Sequence, residues 1–202
     1  MTDAPQSPSV ELRSIQSAIG EWQQREFRPN GIPADLMVDT MLVVEECGET
    51  ARCFVKRNQN IRGGADHWTA ELRKEQADVV VTVLALGANH HIDVVEGLDV
   101  IGWGALLHEG DVSPDPSRDT PYWPALRLGG EVGRLSEFVE KNPEGGAANP
   151  EWWFKEMGRH CSRVIEGTMN IAWVEGFDWF DALRDRWGEV STRRFATKGS
   201  NE

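Results

Sequence analysis

The chain has 202 residues, 33 of them acidic and 21 basic, for a formal net charge of −12. That balance excludes sequence-independent binding to DNA or RNA, which needs a basic surface. It leaves nucleotides open, because a metal ion can carry their charge locally. No apolar run reaches transmembrane length, and Met1 to Pro8 is too polar for a signal peptide. Cys47, Cys53 and Cys161 lack metal-site spacing, so a reducing cytoplasm is the expected compartment.

Ser7 followed by Pro8 marks a helix start. Leu12, Ile15, Ile19 and Trp22 then recur at helical spacing, which predicts a first helix to about Phe27. Trp22 reads as a core residue or as a ring that stacks on a ligand. Arg28 to Pro33 is a turn by composition. A second helix is expected from about Pro33 to Arg57, with Leu36, Val43, Cys47, Ala51 and Phe54 as its apolar stripe. Gly48 interrupts it, either to let a neighbouring helix approach or as a tolerated weak point. Lys56 and Arg57 suit the C-terminus of a helix. Asn58 to Ala65 is a polar loop in which Arg62 either reaches phosphate or is solvated.

A third helix is expected from about Asp66 or His67. The run Val79 to Leu84 alone resembles a buried strand. Its continuity with Glu71, Glu75 and Asp78, and then with Ala85 to Ala88, instead gives a helix apolar nearly all round. His90 and His91 fall at its end and read as carbonyl caps. Asp93 is the expected N-cap of a fourth helix, with Val94, Leu98, Ile101, Ala105 and Leu106 inward. Gly110 to Thr120 reads as a linker.

The chemistry lies in Glu45-Glu46-Cys47-Gly48-Glu49 and Glu75-Gln76-Ala77-Asp78. On helices, Glu46 and Glu49 share one face, and so do Glu75 and Asp78. Two such helices packed antiparallel aim four carboxylates at one point. Charge gathered in that way requires a cation or protonation. All-oxygen ligands select a hard ion, Mg²⁺ or alternatively Mn²⁺.

The pattern E-E-x-x-E followed by E-x-x-D resembles the signature of the all-α nucleoside triphosphate pyrophosphohydrolases, a superfamily that includes MazG-like proteins and dimeric dUTPases. The resemblance runs from Leu36 to about Leu98. It implies Glu46, Glu49, Glu75 and Asp78 as metal ligands and Glu45 as a helper of the attacking water or of a second ion. It also implies release of pyrophosphate from a nucleoside triphosphate by attack at the α-phosphorus, with house-cleaning of the nucleotide pool as the expected role. Candidate substrate-binding residues are Lys56, Arg62, Lys74 and Trp22.

A shift of 85 residues aligns the two halves without a gap. Glu46 falls on Glu131, Lys56 on Lys141, Trp68 on Trp153, Asp93 on Asp178 and Leu98 on Leu183. Glu45, Glu49, Glu75 and Asp78 fall on Gly130, Arg134, His160 and Arg163, a set that cannot hold Mg²⁺. Arg134 and Arg163 are therefore expected to reach solvent or to find acceptors. The expected architecture is an all-α bundle of two fused MazG-like repeats: 1–109 catalytic, 110–120 a linker, 121–202 degenerate. The expected assembly is a monomeric pseudo-dimer or a homodimer. Two rival readings are a di-iron carboxylate bundle, which needs Glu-x-x-His and has only His67 and His90 nearby, and a non-catalytic, metal-stabilised interaction module. The absence of G-x-x-x-x-G-K-[ST] disfavours a Walker-type enzyme.

Overall fold

Most helix starts among the described residues are set by side chains that take up free backbone N–H groups. The computed structural model describes residues 7–28, 31, 33–101, 122–143 and 147–194, apart from the side chains of 100 and 101. Ser7 accepts from the Val10 N–H and opens α1 (Pro8–Phe27). Asp35 accepts from the Met37 and Val38 N–H groups, so α2 (Leu36–Asn58) begins three residues later than the expected Pro33. The left-handed backbone of Gly63, φ 110°, turns the chain into α3 (Gly64–Asn89), two residues ahead of Asp66. Asp93 caps α4 (Val94–Ile101) as expected, accepting from Val95 and Glu96. The second half supplies α5 (Trp123–Lys141), α6 (Pro150–Glu175) and α7 (Trp179–Ser191). The described residues are all-helical, without a strand. Ala105, Leu106 and the expected linker lie outside them.

Val79 to Leu84 is helical, and the reason is burial on every side. From Gln76 to Gly87 almost all of α3 is buried, because α1, α2, α6 and α7 all pack against it. The short loops after α2 and α5 make two hairpins, α2–α3 and α5–α6. They lie together with α2 on α5 and α3 on α6. Val43, Cys47 and Phe54 of α2 meet Leu128, Val132, Leu135 and Val139 of α5 in one core. Val80, Val83 and Leu84 are likewise fully covered. Burial of Leu12, Ile15, Ile19 and Trp22 follows the expected stripe.

The short helix after each hairpin crosses to the other one: α4 packs on α6, and α7 packs on α3. At the first crossing the backbones come close. Ser162 Oγ lies 2.6 Å from the Val94 carbonyl and 2.7 Å from that of Gly158, and a methyl group at Gly97 would run into the Ser162 side chain. Gly48, by contrast, has open space beside it, so no neighbour approaches there. Its glycine is a tolerated weak point and not a helix-contact device. Gly97→Ala should destabilise the fold by about 1–3 kcal/mol, read as a lower midpoint in denaturant unfolding. Gly48→Ala should leave the midpoint unchanged or raise it slightly.

Candidate metal centre

Glu45, Glu46 and Glu49 stand on α2, and Glu75 and Asp78 on α3, along the seam of the first hairpin. The hairpin brings Glu46, Glu75 and Asp78 together, with one carboxylate oxygen from each lying within 4.8 Å of the others. Glu49 stands beside this trio. Its charge acts on Glu75, and it faces Arg52 at 3.2 Å. Glu45 is exposed, and its charge acts on Glu46.

The crowding has an electrostatic consequence. Burial pushes the Glu46 carboxyl up to about 7, and the charges of Asp78, Glu75, Glu49 and Glu45 push the same way. Glu75 is also raised to about 7, by burial first and then by Glu49 and Asp78. Half-buried carboxylates that hold protons near neutrality are short of positive charge. Three hard oxygen donors at this separation, with others adjoining, fit a Mg²⁺ or Mn²⁺ ion. Among the described residues no histidine joins them: His67 meets Trp68 edge-on, and His90 Nε2 sits 2.9 Å from Asp39 Oδ2. His90 therefore serves the buried Asp39 and does not cap a carbonyl through its ring.

Asp78 is only 9% exposed, and it has a partner that no motif indicated. Arg186, on α7, donates Nε to Oδ1 and Nη2 to Oδ2, both at 2.6 Å. Its Nη1 donates to Glu189 at 2.8 Å. In the 85-residue register Arg186 falls on Ile101, so the one available signal was a charge where the first half carries an apolar residue.

The candidate substrate-binding residues scatter. Trp22 is 6% exposed and meets Phe27 and Trp187 edge-on. It also lines a cavity of about 170 Å³ whose wall includes Glu46 and Asp78. Lys56 lies over the Trp68 ring at 4.5 Å, away from the trio. Arg62 is exposed, and its carbonyl accepts from Trp68 Nε1. Lys74 is exposed and pairs with Glu71 at 3.3 Å. The 170 Å³ cavity continues past Val81, Ala85 and Leu86 to Asp39 and Asn89. Asn89 Nδ2 donates to Asp39 at 2.9 Å, and its buried Oδ1 has no hydrogen-bond partner. A larger concavity of about 1180 Å³, between α1 and the end of α3, shares none of the acids.

In the second half the basic replacements find acceptors. Arg134 donates to Glu131 at 3.0 Å, and Arg163 to Glu166 at 2.8 Å. Arg127 also donates to Glu166, at 2.6 Å. His160 packs on Phe138, where burial lowers its pKa.

Compared with protein-family models, with curated proteins and with solved structures, the chain matches none.

The raised carboxyls make metal-free stability depend on pH. Glu46 and Glu75 bind protons more tightly in the folded state than in the unfolded chain. Their contribution is therefore full below about 4.5, the unfolded value, and is lost as pH rises through about 7. In EDTA the melting temperature should fall between these pH values, with Mn²⁺ restoring it at pH 8. Glu75→Gln should flatten the dependence and raise the metal-free melting temperature at pH 8.

Proposed function

We propose that the chain hydrolyses a nucleoside triphosphate to the monophosphate and pyrophosphate at this carboxylate seam. The observation that carries the reading is the meeting of Glu46, Glu75 and Asp78 beside a cavity that shares two of them. These three residues would hold Mg²⁺, with Glu49 completing the set from beside Glu75. When bound, the ion supplies neutralisation of the phosphate charge that grows in the transition state. Glu45, exposed and next to Glu46, takes the proton of the attacking water.

The cavity suits the base. Its volume of about 170 Å³ is close to the roughly 150 Å³ that encloses one benzene ring, which favours a one-ring pyrimidine over a purine. Trp22, Val81, Ala85 and Leu86 give it an apolar floor. We further read the two hairpins as copies of one unit. Val94 opens α4 and Trp179 opens α7, 85 residues on, and each of these helices packs on the other hairpin. One chain then builds a pseudo-dimer with one active seam.

A second reading draws on the Asp78–Arg186 ion pair, which already neutralises one of the acids: a non-catalytic helical module. Pyrophosphate release separates the two. With Mg²⁺, a panel of nucleoside triphosphates should yield pyrophosphate, pyrimidines faster than purines, and EDTA should abolish the reaction. No pyrophosphate from any of them would leave the non-catalytic module. Glu45→Gln should slow turnover by about 10²- to 10⁴-fold while Mn²⁺ affinity in calorimetry stays the same. An equal loss of Mn²⁺ affinity would make Glu45 a ligand instead.

A further inference from the structure

Arg186 occupies the carboxylate that a cation needs. Both Asp78 oxygens accept from its guanidinium at 2.6 Å, and the two side chains are only 16% and 12% exposed. The same carboxylate has an oxygen within 4.8 Å of oxygens on Glu46 and Glu75. A divalent ion that takes Asp78 must therefore displace the guanidinium or sit against it, and like charges this close repel strongly away from bulk water. The displaced arginine has a place to go. Glu189, one turn further along α7, already accepts from its third nitrogen at 2.8 Å. The helix itself stays in position: Arg184 donates to Glu11 of α1 at 2.6 and 2.9 Å, Arg73 of α3 donates to Asp185 at 2.7 Å, and Trp179 and Leu183 are buried. Only the Arg186 side chain has to move.

We propose that Arg186 is a built-in counter-ion that yields Asp78 to a divalent cation and then serves as the contact for an anionic phosphate arriving with it. The assignment rests on the metal centre proposed above. Before the cation binds, Arg186 offsets part of the negative charge of the trio. Afterwards its guanidinium, released from Asp78, stands beside the ion, and an oxyanion that bridges the two is attracted by both. Cation and anion then bind with positive coupling, each favouring the other by the same factor. Toward the cation Arg186 acts through Asp78, and toward the phosphate it is a direct contact. The second half of the chain thus contributes a side chain to the first half's site.

The test is Mn²⁺ binding to the full chain by calorimetry, in chloride and in sulfate of equal ionic strength, sulfate standing in for phosphate. The wild-type protein should bind Mn²⁺ several-fold more tightly in sulfate. Arg186→Gln should bind Mn²⁺ about tenfold more tightly than wild type in chloride, within the usual range of coupling between sites, and should lose the sulfate effect. Arg186→Lys should keep a reduced sulfate effect. Glu189→Gln removes the alternative acceptor, so it should weaken Mn²⁺ binding. Opposite signs for these two neighbouring variants cannot come from partial unfolding. Unchanged or weaker Mn²⁺ binding by Arg186→Gln would overturn the counter-ion role while leaving the metal centre in place. Absence of Mn²⁺ binding in folded wild-type protein would overturn the metal centre and this proposal with it.

Discussion

Mutual repulsion of carboxylates held along one helix seam is the constraint around which this structure is arranged. Glu46, Glu75 and Asp78 are kept close by packing they do not control. Their helices meet because Val43, Cys47 and Phe54 on one side and Leu72, Val79 and Val83 on the other are buried together. That apolar contact overrides the repulsion, and burial first, with the repulsion adding to it, leaves carboxyls that protonate near neutrality. Carboxyls raised in this way beside a cavity mark a candidate functional site.

The two halves deal with charge in opposite ways. In the second half Glu131 is met by Arg134, and the buried Glu166 is held between Arg127 and Arg163. Both of these acids have bases of their own half, so no deficit accumulates around them. In the first half Arg52 pairs with Glu49, and among the described residues Glu46, Glu75 and Asp78 have no ion-pair partner within the hairpin. Arg186 meets part of that need from α7. The same helix places Trp187 against Trp22, so it bears on both the cavity and the trio.

Much of this was legible in the chain. Ser7, Asp93 and the stripe Leu12, Ile15, Ile19, Trp22 marked the helices they belong to. Val79 to Leu84 could be assigned as helix only by its continuity with the acids before it and the alanines after it. The starts of α2 and α3 were less legible, because Asp35 and Gly63 act through cap geometry and a left-handed backbone and not through periodicity. Gly48 was ambiguous, since a glycine has the same letter whether or not a neighbour presses on it; the open space beside it settles the matter.

What the sequence by itself determined is local: which segments are helical, and which acids share a helix face. Spacings of three and four residues fix those relations without reference to anything else. The tertiary structure alone decided that Arg186 grips Asp78, that His90 turns to Asp39, and that Trp22 lines the cavity shared with Glu46. These pairs join residues from 24 to 108 positions apart. Their meeting depends on how whole helices pack, and periodicity along one helix carries no record of the partner across from it.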